Sequence, residues 1–176
     1  MDKKILKWEI IGAIFISVIG ALFHFMFEWL GSFLPIGGFF PVNESVWEHL
    51  KLPYWPLVIY SLIELKFIRE RSNNMIIAKT LDVLIDFAVI LITFYTYTAI
   101  LGTEILVIDI LSFIIGVFIG QYVSAKVMSL GEKPKWITYS SWAIFILIAV
   151  LFFVFTFFPP HLPIFLDSES GMYGII

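Results

Sequence analysis

The chain has 176 residues, of which 60% are hydrophobic and 14% charged, with a net charge of −3 and a mean hydropathy of +0.97. Soluble domains carry about 45–50% apolar and about 25% charged residues, so this composition excludes a soluble enzyme and a disordered chain and points to lipid. Without a basic patch there is no nucleic-acid partner, and without cysteine there are no disulfides or thiolate sites.

Five apolar runs are long enough to cross a bilayer, which takes about 20 helical residues. They cover Leu6–Phe33, Pro53–Phe67, Thr80–Leu101, Ile105–Met128 and Trp136–Phe158. The first is too long for a cleaved signal sequence and is expected to remain in the mature chain. The stretch Gly31–Val42 that ends it is apolar but broken by Gly31, Gly37, Gly38, Pro35 and Pro41. It reads as an outer loop that dips into the interface or covers the bundle mouth. The second run reaches full length only if its helix begins in the polar segment Glu44–Lys51. There Ser45 and Glu48 have the spacing of a capping box, and Asn43 is an alternative cap. The third and fourth runs are joined only by Gly102-Thr103-Glu104, which makes them antiparallel neighbours. In the fourth, Gly116 and Gly120 form a small-x₃-small pattern suited to close helix packing.

If the spans alternate, Lys3, Lys4, Lys7, Lys66, Arg69, Arg71, Lys79, Lys126, Lys133 and Lys135 all fall on one side. Lys51 alone is left for the other. By the positive-inside rule the N-terminus is cytoplasmic and the C-terminus outside. The expectation is an all-α, polytopic bundle over residues 1–176: one integral domain of the cell membrane with lipids as its surroundings. A homo-oligomer or a partner membrane subunit is compatible with it. Span-end tryptophans Trp8, Trp29, Trp47, Trp55 and Trp136 fit an interfacial belt.

Charged groups at membrane depth need partners or a wet cavity. Asp82 is expected to pair with Lys79, while Asp86 lies a turn deeper and needs a partner of its own. On the outer side His24 and Glu28 are one helical turn apart. The run Pro41–Lys51 adds Glu44, Glu48 and His49, and Asp109 and His161 lie on the same side. Imidazole with carboxylate suits a divalent ion such as zinc. The expected ligands are His24, Glu28, His49 and Asp109, with Glu48, His49 and Ser45 in catalytic roles. His24, Glu28, Glu48 and His49 are expected to converge on one outward-facing site. Plainer readings of the same residues are a Ser45 cap, a Glu48–Lys51 pair and an interhelical hydrogen bond from His24. His161, after Pro159-Pro160, reads as a surface residue, and Asn43-Glu44-Ser45 also matches a glycosylation acceptor.

The segments His24–Trp29, Pro41–Lys51 and the tail with Asp167 and Gly171–Gly174 resemble a bacterial integral membrane family of unknown function, which implies a small multi-span fold and no particular activity. Ser45-x₃-His49 is similar, as a chemical analogy, to a motif of the alkaline ceramidase and progestin/adipoQ receptor superfamily. Its members hold zinc on three histidines across about seven spans, whereas this chain has five runs and no His-x₃-His pair. Three functions are consistent with these readings: a metal-dependent membrane hydrolase acting on a lipid-like substrate, a small-solute transporter or its binding subunit, and a non-catalytic scaffold.

Overall fold

Asp2 starts the first helix. Its carboxylate accepts the N–H groups of Lys4 (2.7 Å) and Ile5 (3.2 Å), satisfying two of the donors that every helix N-terminus leaves free. Helix α1 then runs over Lys3–Trp29, and Gly31, at φ 74°, closes it in the left-handed conformation that glycine adopts without strain. A computed structural model describes residues 1–175 of the protein. After α1 come the one-turn helix α2 (Val46–His49), α3 (Lys51–Ile68), α4 (Met75–Leu101), α5 (Leu106–Met128) and α6 (Lys135–Phe157). Among the described residues there is no strand; Leu166 and Tyr173 form one isolated bridge. The fold is all-helical.

Three of these helices, α1, α5 and α6, are long and apolar enough to cross a membrane. The five expected runs correspond to α1, α3, α4, α5 and α6, with ends displaced by up to five residues. Helices α3 and α4 carry six charged residues, and five of those side chains turn inward: Lys51, Glu64, Lys79, Asp82 and Asp86 are all buried, while Lys66 is exposed. The outside shows the reverse pattern, with Ile14, Val18, Leu62, Ile92 and Leu106 all more than half exposed. Charge inside and aliphatic surface outside is the arrangement that a lipid solvent selects. The protein is therefore compatible with residence in a membrane.

Helix α4 packs along α5, while α1 packs against α3 and α5. Two glycines set these approaches. A methyl group on Gly120 of α5 would collide with Asp82 Oδ1 and lie 2.6 Å from Asp86 Oδ1 on α4. On α1, a methyl group at Gly20 would lie 2.7 Å from the carbonyl oxygen of Leu52. That carbonyl is four residues before Pro56, inside α3, which has no N–H to offer it. The proline frees the carbonyl and the glycine lets α1 come up to it. This crossing also brings two histidines together, because His24 lies one turn beyond Gly20 and His49 three residues before Leu52.

The Gly31–Val42 loop is packed down rather than free. Lys51 Nζ donates to the Gly37 carbonyl (2.7 Å) and to Thr156 Oγ1 (2.6 Å) of α6 and pairs with Glu48. Trp55 Nε1 donates to the Gly38 carbonyl (3.0 Å). The one basic residue assigned to the outer side is thus a buried tie between loop and bundle.

A candidate metal centre at one end of the bundle

Three separate elements meet where α1 passes α2. His24 comes from α1, His49 from the last residue of α2, and Glu44 from the bend just before the Ser45 cap. His24 Nε2 stands 3.7 Å from Glu44 Oε1 and His49 Nε2 stands 3.3 Å from Glu44 Oε2. The two imidazole rings lie 5.3 Å apart, centre to centre. One ligating atom from each of the three residues falls within 4.8 Å of the others. Around a tetrahedral ion with bonds of about 2.0–2.1 Å, ligand atoms sit roughly 3.3 Å apart, so this triad is close to the size that zinc requires.

The surroundings favour ligation. His49 Nδ1 is 2.9 Å from the Ser45 carbonyl and donates to it, because a carbonyl only accepts. This fixes the tautomer and turns Nε2 towards the carboxylate, just as a backbone carbonyl commonly orients a metal-binding histidine through its other ring nitrogen. A neutral imidazole nitrogen and a carboxylate oxygen at 3.3 Å are two acceptors face to face. They need a shared proton or a shared cation between them. In the metal-free protein burial opposes a charge on His49, but the hydrogen bond and the charge of Glu44 outweigh it and raise its pKa; the same His49 bond, against partial burial, lowers that of Glu44. Both shifts favour the charged pair.

Glu44 is itself held. Asp167, from the tail, accepts the Glu44 N–H at 2.9 Å and the Ser170 N–H at 3.0 Å. Burial works to raise the Asp167 pKa, and these bonds with that of the Ser170 hydroxyl bring it below the usual carboxylate range. Asn43 Nδ2 donates to the Gly174 carbonyl at 2.7 Å. The tail therefore clamps the loop that presents the carboxylate. Beside the triad opens a cleft of about 360 Å³, lined by His24, Glu28, Asn43, Glu44, Asp167 and Glu169 among others.

A family model described as a family of unknown function (DUF6512) matches residues 1–175. The chain belongs to that family. No curated protein and no solved structure matches it.

In this family member the structure brings together two of the four residues expected to converge, His24 and His49. Glu48 lies elsewhere: its carboxylate accepts from Val42 N–H (3.0 Å) and Thr156 Oγ1 (3.0 Å) and pairs with Lys51. A group so committed is not free to act as a base. Glu28 lines the cleft without joining the triad. Asp109 accepts the Tyr97 hydroxyl at 2.8 and 2.9 Å and is close enough to His49 for their charges to interact, but it is not one of the three grouped ligand atoms. Ser45 caps α2, its Oγ accepting the Glu48 N–H at 3.4 Å. The reciprocal half of the capping box is absent, since Ser45 N–H donates to Asn43 Oδ1 (2.9 Å) instead. His161 stacks on Tyr173 with ring centres 4.5 Å apart. The expected Asp82–Lys79 pair is also replaced, because Lys79 Nζ pairs with Glu9 (2.6 Å) and Glu64 (2.8 Å) from other helices. Glu44 is the member of the triad that the sequence pattern does not single out. Its signal lies in its position next to the cap, in a bend outside α2.

Proposed function

We propose that this protein spans the membrane five times, N-terminus inside and C-terminus outside, and binds one divalent transition-metal ion at its outer face on His24, Glu44 and His49. Supporting the topology, ten of the eleven Lys and Arg residues fall on one side of an alternating bundle, and α3 and α4 bury Lys51, Glu64, Lys79, Asp82 and Asp86 within it. Cysteines introduced at Ser72 and Ser168 are expected to react oppositely with an impermeant thiol reagent in intact cells, Ser168 labelling and Ser72 not.

The observation that carries the metal reading is the triad itself: two imidazoles and a carboxylate with one ligating atom each within 4.8 Å of the others, one imidazole oriented by a carbonyl. Two histidines and a glutamate form the protein share of known catalytic zinc sites, in which the fourth position is left to water. A bound zinc ion would lower the pKa of such a water to about 7. Glu28, on the cleft wall one turn beyond His24, is the carboxylate placed to take its proton. An outer cleft beside an aliphatic surface suits an ester or amide carried by a lipid, so we read the activity as hydrolysis of a lipid-like substrate. The test is release of products from phospholipid and N-acyl lipid vesicles by the zinc-loaded protein, followed by mass spectrometry. Activity lost in both His49→Ala and Glu28→Gln supports hydrolysis; zinc bound with no release from either vesicle would leave a metal-binding protein and refute the hydrolase.

A further inference from the structure

Beyond α6 the tail returns across the end of the bundle that holds the triad, and it does so in two parts. In the single turn Pro163–Phe165, Phe165 is buried, its ring 5.0 Å from that of Trp47 and 5.3 Å from that of Phe155. Apolar burial fixes this part to the bundle. Over residues 166–173 the pattern changes, since Asp167 is the only one of them that is buried.

Hydrogen bonds hold that second part. Within it, the Asp167 N–H donates to the Met172 carbonyl (2.9 Å) and the Gly171 N–H to the Asp167 carbonyl (3.0 Å), with Gly171 at φ 70° making the turn. Its bonds to the α1–α2 loop go to two residues. Asp167 accepts the Glu44 N–H, Ser168 Oγ donates to the Glu44 carbonyl at a long 3.5 Å, and the Gly174 carbonyl accepts from Asn43 Nδ2. Segments with few buried apolar contacts open at free energies well below that of the whole fold.

Two consequences meet at Glu44. Its backbone N–H and C=O are both bonded to the tail, while its carboxylate faces the two imidazoles. The same docking makes the cleft, because Asp167, Glu169 and Ser170 wall it together with His24, Phe27 and Glu28. Withdrawal of the tail would free Glu44 and open the cleft in one movement.

We propose that residues 166–175 form a strap, hinged after Phe165, whose closure seats Glu44 and whose release opens the cleft, so that an ion on the triad and a closed strap stabilise each other. Such coupling is reciprocal: the factor by which a docked strap tightens the ion is the factor by which the ion tightens docking. The ion's share of this inference rests on the metal reading above; the strap's grip on Glu44 does not.

The test is residue-resolved hydrogen exchange on the full chain in nanodiscs, with bound zinc counted by elemental analysis on the same samples. In EDTA, the amides of Glu44, Asp167 and Gly171 are expected to exchange through one opening, with equal protection. Asn43→Ala, which removes the tie to Gly174 and leaves the three triad side chains in place, should speed all three by a similar factor. A Glu44 amide that stays protected while the tail amides exchange overturns the strap, whether or not zinc binds. With zinc at saturation the same amides are expected to slow by about tenfold or more, and His49→Ala to abolish the slowing. Unchanged tail exchange in wild type carrying one zinc overturns the coupling and leaves the metal centre standing. A wild type that binds no zinc refutes the metal reading and with it the coupling to an ion, while the EDTA measurement decides the strap.

Discussion

The two ends of the bundle use basic and acidic side chains to opposite effect. At the outer end His24, Glu44 and His49 are each roughly a quarter to two-fifths exposed at the side chain, drawn from three elements around a cleft. At the other end Glu9, Glu64 and Lys79 are sealed between helices at 2% exposure or less. A half-exposed ion pair is screened by water and contributes little to stability, whereas a buried one loses several kcal/mol when a partner is removed. The triad therefore keeps its groups within reach of solvent, while the inner pairings lock α1, α3 and α4 together.

The largest effect should come from breaking that lock. Lys79→Ala leaves Glu9 and Glu64 buried without their cation and is expected to cost about 3–5 kcal/mol, read as a lowered unfolding midpoint or loss of folded protein in detergent. Next is the crossing of α1 and α3. Gly20→Ala overpacks against the Leu52 carbonyl, with an expected loss of about 1–3 kcal/mol. Because it displaces His24 from His49, it should also weaken zinc binding. A stability loss with zinc affinity unchanged would show that the crossing does not set the outer site.

Asp167→Asn removes the charged acceptor that fixes Glu44. It is expected to weaken zinc binding about 10–100-fold by titration calorimetry, with a much smaller change in melting. Ser45→Ala loses a long cap hydrogen bond of 3.4 Å and should cost about 0.5–1 kcal/mol, the lower end of the range for helix caps.

The smallest effect is on pH dependence in the metal-free protein. The His49 pKa is raised in the fold, so its contribution is full below the ordinary value of about 6.5 and fades as pH rises through the raised value. The Glu44 pKa is lowered, so its contribution is full above about 4.3 and fades as pH falls through the lowered value. The pair should thus be strongest from about pH 4.3 to 6.5, contributing less than about 1 kcal/mol. Glu44→Gln should flatten that window in thermal melts.

Much of this contrast can be read from the chain. The helices follow from uninterrupted apolar runs, and the break after α1 from Gly31 and the prolines beyond it. Lys51 and Glu48 pair at i, i+3 as their spacing allows. His24 and His49 meet because both flank the Gly20–Leu52 crossing. Glu44 is hidden by periodicity: its four-residue spacing from Glu48 suggests a common helix, but α2 begins only at Val46. Glu44 therefore follows the bend before the cap rather than the helix. The inner pairings are concealed for a related reason. Lys79 and Asp82 are close in sequence, yet the long lysine side chain reaches partners on α1 and α3, and no local spacing encodes which helices will be its neighbours. The tail's clamp on Glu44 is likewise a contact across 123 residues.

The central claim is that the outer triad is a metal centre, and metal stoichiometry tests it most directly. Protein purified without chelator, or loaded with zinc and desalted, should carry about one zinc per chain by elemental analysis, and His24→Ala, Glu44→Gln and His49→Ala should each lose it while remaining folded. A wild type that retains no zinc, or a His49→Ala variant that retains as much as the wild type, would contradict the account.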